Sequence, residues 1–271
     1  MAARTTYKLS ATRTYGIEIE AYGVDKAQVA AFLNAAGIPC TIEDYNHETR
    51  ATWKIVSDGS ISGTNPFELV SPPLCGQDGA RQIEIVCRVL NDLGVQVNHS
   101  CGLHVHHGAN DLTLNDWQNL AKLYLKYEAT LDTLLPVSRR AGQNQFCAAL
   151  RTQFSSLDEA FRIIDRATTL EALADLLCRR VRYYTLNLMA FWRHGTVEVR
   201  HHSGTIDAAK ILHWVSLTQC LILRAMERTS ISRKGTDLAA ICIPWSTSAA
   251  RHSKPSRATA AFYANRQATF A

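Results

Sequence analysis

Tyr15-Gly16-Ile17-Glu18-Ile19-Glu20-Ala21 alternates without a break. As an extended strand it points Tyr15, Ile17, Ile19 and Ala21 one way and Gly16, Glu18 and Glu20 the other. One face is then apolar and the opposite face carries two carboxylates. In a helix, residues two apart stand about 200° around the axis and the division is lost. Two glutamates on one strand face repel, and the stretch itself holds no cation. A divalent ion taking an oxygen from each would resolve the conflict; a solvated edge strand is the other reading.

Three further segments share the pattern. Phe67-Glu68-Leu69 places Glu68 opposite two apolar neighbours. Gly102-Leu103-His104-Val105-His106 puts His104 and His106 on one face and Leu103 and Val105 on the other. Thr196-Val197-Glu198-Val199-Arg200-His201-His202 gathers Thr196, Glu198, Arg200 and His202 on one face. Four such strands predict a sheet with one side on the core and the other side around ions. Carboxylates with one imidazole suit Mg²⁺ or Mn²⁺. Zinc is the competing reading for Cys101-x-x-His104-x-His106-His107, but no second Cys/His cluster at finger spacing accompanies it.

Helices are expected between these strands. Asp25 caps one whose stripe is Val29, Phe32, Leu33 and Ala36, with Gly37 as its stop. Cys40–Glu43 and Ala51–Ser57 read as short strands, and Asp58-Gly59-Ser60 as a turn. A helix from about Asp78 has Ile83, Val86, Leu90 and Leu93 as its stripe and ends at Gly94. Leu114–Leu135 reads as a long helix with Trp117, Leu120, Tyr124, Tyr127, Leu131 and Leu134 on one side, Thr113 and Asp116 at its start and Pro136 at its end. Shorter helices are expected at about 157–167 and 169–180, and a last one from Asp207 to about Arg228.

Composition sets the class. The chain has 271 residues, of which 46% are hydrophobic and 20% charged, the balance of a soluble globular protein. No apolar run approaches the ~18 residues of a membrane span, and the N-terminus has no signal-peptide core. Eight scattered cysteines without a C-x-x-C pair read as buried thiols of a reducing, cytoplasmic compartment. The net charge of +5 is unevenly placed. Residues 228–271 hold seven of the 29 basic residues and one of the 24 acidic ones, a net of +6; residues 1–227 hold 22 and 23, a net of −1. Charge therefore gives little support for nucleic-acid binding by the body, and leaves open a tethering role for the tail. The expected division is a catalytic domain at 1–228 and a basic, partly mobile tail at 229–271, where Leu238–Trp245 alone is apolar enough to dock.

The ordered motifs Y-G-I-E-I-E (15–20), S-D-G-S (57–60) with F-E-L-V-S-P-P-L (67–74), S-C-G-L-H-V-H (100–106), R-Y-Y-T-L-N (182–187) and T-V-E-V-R-H-H-S-G-T (196–205) resemble the amidoligase family. That family lies in the glutamine synthetase and glutamate–cysteine ligase superfamily of carboxylate–amine ligases. The resemblance runs from about residue 14 to 215. It implies an α+β fold with a curved, mostly antiparallel sheet, a half-barrel cup with helices on its outer face, holding ATP and two or three Mg²⁺ (or Mn²⁺) ions. Carried over by motif, Glu18 and Glu20 resemble the paired carboxylates that serve different ions, Glu68 a further carboxylate ligand, and His104 the histidine ligand. His106 resembles a residue nearer the nucleotide, Glu198 the last ligand, and Arg200 the arginine facing the reacting phosphoryl or carboxylate group. Arg139, Arg182 and Asn187 fall where the family places contacts to phosphates or substrate. Asp58 either positions substrate or starts a turn.

The implied reaction is ATP-dependent amide or isopeptide bond formation. A carboxylate attacks the γ-phosphate of ATP to give an acyl phosphate, and an amine then displaces phosphate, releasing ADP and phosphate. The carboxylate and amine could belong to an amino acid, a peptide, or a protein or cell-wall group, and the oligomeric state stays open. Two alternatives remain at this point: a phosphotransferase of guanidino-kinase type on the same fold, and a non-catalytic nucleotide- or metal-binding module tethered by its basic tail. The chain has no G-x-x-x-x-G-K-[ST] loop and no convincing Ser/His/Asp arrangement, in keeping with chemistry that needs no protein nucleophile.

Overall fold

In the computed structural model, residues 7–140, 144–242 and 255–270 are described. The protein is α+β, with seven strands among the described residues, and it divides into two compact units. One comprises Leu9–His107 and His202–Val215; the other comprises Met1–Lys8, Gly108–His201 and Ser216–Ala271, as far as these are described.

The first unit is built on β1 (Tyr15–Ala21), α1 (Lys26–Ala35), β2 (Cys40–Ile42), β3 (Trp53–Val56), β4 (Phe67–Val70), α2 (Gly76–Asp92) and β5 (Gly102–Gly108). Its strand order is β2-β3-β4-β1-β5. β2 and β3 are parallel, and the other neighbours are antiparallel. β1 therefore lies between two strands that follow it by some 50 and 90 residues in sequence. Tyr15, Ile17, Ile19, Ala21, Trp53, Ile55, Phe67, Leu69, Leu103 and Val105 are all buried. This apolar face meets α2: Trp53 Nε1 donates to Gln82 Oε1 at 3.0 Å, and the Tyr15 hydroxyl donates to Gly76 O at 3.1 Å. Gly79 permits that approach, because a Cβ there would stand 2.6 Å from the Tyr15 hydroxyl. Asp25 caps α1 through the Ala27 amide, and Gly37, at φ +81°, follows its end. The stripe of α1 is Val29, Ala30 and Leu33; Phe32, expected on it, is 52% exposed. Ala30 takes the inner position instead.

The second unit contains α3 (Leu114–Asp132), α4 (Leu157–Asp165), α5 (Leu170–Cys178), β6 (Leu186–Asn187), α6 (Ala190–His194) and β7 (Thr196–Ser203). It continues through α7 (Ala208–Met226), α8 (Leu238–Cys242) and α9 (Arg257–Phe270), with β7 and α7 carrying the chain between units. Thr113 and Asp116 form a reciprocal capping box at the start of α3. β6 pairs antiparallel with β7, setting Asn187 opposite Glu198. Beyond residue 228, α8 falls within the segment expected to dock, whose residues 243–245 lie outside the described residues. α9 was not foreseen. Its Arg266 Nε donates to Leu134 O at 2.7 Å and Gln267 Nε2 to Thr133 Oγ1 at 2.7 Å, so it closes the C-terminal end of α3. Its sequence, R-A-T-A-A-F-Y-A-N-R-Q-A-T-F, lacks an apolar stripe, which is why periodicity missed it.

Candidate functional site

The register of the first unit brings its polar side chains into rows. Glu18 pairs with His104 on β5 and with Val70 on β4; Glu20 pairs with Glu68; Gly16 pairs with His106. Paired residues share a face, so Glu18, Glu20, Glu68, His104 and His106 all project from the side opposite the apolar core.

The contacts among them are close. His104 Nδ1 lies 2.9 Å from Glu18 Oε2, and its Nε2 lies 3.4 Å from Glu20 Oε1. His106 Nε2 stands 3.2 Å from Glu18 Oε1. Glu20 Oε2 accepts the Gly102 amide at 2.6 Å, which fixes the carboxylate at the mouth of β5. Donor atoms of Glu20, Glu68 and His104 all lie within 4.8 Å of one another. His104 and Glu20 are buried, while Glu18 and Glu68 are half-buried.

The electrostatics separate the carboxylates. Burial alone would raise the Glu18 carboxyl, but the His106 and His104 imidazoles outweigh it and hold Glu18 well below the usual range. Glu68 goes the other way: burial, then the charges of Glu18, Glu20 and Asp58, push it well above. A carboxyl lifted by three like charges is one for which a cation could replace the proton. Oxygen-rich donors with a single imidazole fit Mg²⁺ or Mn²⁺ better than zinc. Cys101 does not join them. It is buried against Gly204, where a Cβ would come within 2.4 Å of its own Cβ, and its backbone carbonyl accepts the Gly204 amide at 2.8 Å. His107 belongs to the core, where burial pushes its pKa down to about 3.

Asp58 accepts from the Ser60 amide at 2.8 Å and hydroxyl at 2.7 Å, the turn-starting arrangement, and its charge also reaches Glu68. Lys54 was missed by the sequence reading. It pairs with Val70 on the same face and is buried, with Nζ donating to Asn46 Oδ1 at 2.6 Å and Glu48 O at 2.7 Å. The signal was present, since Lys54 alternates with Trp53 and Ile55, but a lone lysine in an apolar strand reads as an edge residue.

In the second unit, Glu198 Oε2 accepts from Asn187 Nδ2 at 2.6 Å, and Arg200 Nη1 lies 2.6 Å from Glu198 Oε1. Glu198 and Asn187 are buried. Arg182 stacks over the Tyr183 ring at 5.1 Å, with Arg200 over the same ring at 6.0 Å. Arg139 is buried in a short 3-10 turn after Pro136, beside the Cys147 thiol. Burial pushes that thiol up to about 11 while the Arg139 and Arg200 charges pull it down. Cys40, Cys75, Cys87, Cys101, Cys147, Cys178 and Cys220 are free thiols. Among the described residues, no helix is long and apolar enough to cross a membrane.

No curated protein matches the sequence significantly. A family model does, over residues 11–222, and its description is "putative amidoligase enzyme". That span takes in all eleven candidate residues, from Glu18 to Arg200, and by it this chain belongs to the amidoligase enzyme family.

Proposed function

We propose that this protein is an ATP- and magnesium-dependent carboxylate–amine ligase that forms an amide or isopeptide bond and releases ADP and phosphate. The observation that carries the reading is the cluster of Glu20, Glu68 and His104, with Glu18 beside it, on one face of a sheet in an amidoligase-family chain. The reading includes a glutamine synthetase-like cup and a cytoplasmic setting, with catalysis assigned to residues 1–228.

In this reading Glu18, Glu20, Glu68, His104 and Glu198 hold two or three Mg²⁺ or Mn²⁺ ions. The ions, when bound, neutralise charge on the phosphoryl oxygens of ATP. Glu20 is oriented for its role by the Gly102 amide, and Glu18 is kept ionised at neutral pH by the two imidazoles. Arg200, held by Glu198, faces the phosphoryl or carboxylate group on which negative charge develops. Arg139, Arg182 and Asn187 contact phosphate or substrate, and His106 lies toward the nucleotide. The carboxylate substrate is itself the nucleophile in the first step and the amine in the second, so the chain supplies orientation and charge rather than a covalent intermediate.

Purified full-length protein with Mg²⁺, ATP and pools of carboxylic acids and amines is expected to yield ADP and phosphate together with an amide. Formation of AMP and pyrophosphate would refute the acyl-phosphate step. A stable phosphorylated product without amine incorporation would favour the phosphotransferase, and absence of any turnover across broad pools would remove the enzyme reading.

A further inference from the structure

Behind β7, on the side opposite Glu198 and Arg200, lies a ring of hydrogen bonds that the proposed reaction does not use. His201 is fully buried, with Nε2 2.7 Å from Asp132 Oδ1 and Nδ1 2.9 Å from the Tyr124 hydroxyl. Asp132 Oδ2 is bound by Arg151 Nη2, and Arg151 Nη1 lies 3.6 Å from Glu128 Oε2. Glu128 is also fully buried and accepts the amides of Leu150 and Arg151, each at 2.7 Å, and the Thr185 hydroxyl. The Tyr124 hydroxyl donates to Thr185 O at 3.3 Å, which closes the ring. Three of its members, Tyr124, Glu128 and Asp132, stand at i, i+4 and i+8 along one stripe of α3.

Two facts separate this ring from ordinary packing. A buried ionic network is seldom the most stable way to fill a core, and apolar replacements of equal volume are often neutral or better. What such a network does supply is a single arrangement, because each donor must meet its acceptor. The ring also grips the backbone of the site: Thr185 O accepts the Arg200 amide at 2.9 Å, and the Cys147 thiol donates to Arg200 O at 3.2 Å. Residues 198 and 200 thus project from a strand whose next inward side chain, His201, is fixed at both nitrogens.

We infer that this ring is a positioning device for Glu198 and Arg200, with His201 the residue through which α3 sets the placement of β7. His201 is a positioning residue and touches neither substrate nor nucleotide. The catalytic consequence rests on the ligase reading; the fixing of β7 does not.

The test compares full-length His201→Phe, His201→Gln and Asp132→Asn with Leu173→Ala, a core truncation elsewhere in the same unit that serves as the stability control. Amide exchange is followed by mass spectrometry across residues 196–203, and kinetics use MgATP with whichever acid and amine pool supports wild-type turnover. The expected result is faster exchange in β7 for His201→Phe than for Leu173→Ala at matched global stability. Turnover should fall by about 10- to 100-fold with KM for ATP within about threefold, and His201→Gln should recover part of the loss through its side-chain donor. Exchange in β7 that merely follows global stability, or unchanged kcat in a loosened strand, would overturn the inference. If His201→Phe does not fold, the Gln and Asn variants carry the same comparison. Should wild-type protein never release ADP, the ligase reading fails and the exchange data alone decide whether the ring fixes β7.

Discussion

Glu20 and Glu68 stand directly opposite each other on adjacent antiparallel strands, with His104 within reach of both. Like charges in this position destabilise a sheet, and the first unit keeps them together on one face with Glu18 beside them. A proton on Glu68 relieves the repulsion, and a cation bound among these carboxylates would do the same.

The proton form gives a pH signature. Glu68 has a folded pKa well above its ordinary 4.5, so the folded state binds the proton more tightly than the unfolded chain. Its contribution is complete below the unfolded value and is lost as pH rises through the folded one. Metal-free protein is therefore expected to lose stability on that rise. Glu68→Gln should flatten the dependence and raise the melting temperature at neutral pH by about 2–4 °C. A melting curve for the variant that parallels wild type across pH would refute this.

Glu18 should behave oppositely. Its folded pKa is depressed, so its stabilisation is present above the unfolded value and disappears as pH falls through the folded one. Glu18→Gln is expected to lower neutral-pH stability where Glu68→Gln raises it, while both abolish ADP formation. Equal signs for the two variants in thermal unfolding would show that the imidazoles do not divide the cluster as described.

Divalent ions should compete with the proton. The melting-temperature increase produced by Mn²⁺ is expected to grow as pH rises and Glu68 ionises, and to shrink at least tenfold in apparent affinity in Glu20→Gln or Glu68→Gln, in line with the usual 10–100-fold cost of disturbing a metal site. A pH-independent shift, or full retention in both variants, would remove these residues from the metal site.

Lys54 ties the segment 46–48 to the polar face through Asn46 and Glu48. Lys54→Met keeps the stem and removes the ammonium that ties the Asn46 and Glu48 acceptors to the strand. A loss of about 1–3 kcal/mol is expected, with faster proteolysis within residues 44–50 than elsewhere. Unchanged cleavage there would mean that the loop holds itself.

Removal of α9 tests the tail. Deleting residues 257–271 takes away the partners of Leu134 O and Thr133 Oγ1, so thermal stability should drop by several degrees while ATP binding persists. A truncated chain that melts with wild type would show that α9 adds nothing to the fold.

Much of this protein could be read from alternation alone. The period of two in 15–21, 67–70 and 102–106 assigned Glu18, Glu20, Glu68, His104 and His106 to one face, and the strand register keeps these five together, because a strand has no other way to place successive residues. The caps at Asp25 and Thr113 were equally legible, being local chemistry. Three things came only with tertiary structure. The insertion of β1 between β4 and β5 set Glu20 opposite Glu68 and Glu18 opposite His104, and strand order is fixed by which apolar faces fit together. The polar stripe Tyr124–Glu128–Asp132 was hidden in a helix whose apolar positions dominated the pattern, since burial of a charge depends on partners such as Arg151 and His201 that lie far along the chain. α9 is held by one buried aromatic, Tyr263, and by hydrogen bonds to the end of α3 rather than by a hydrophobic stripe, and sequence periodicity carries no trace of a bond whose acceptor lies on another segment.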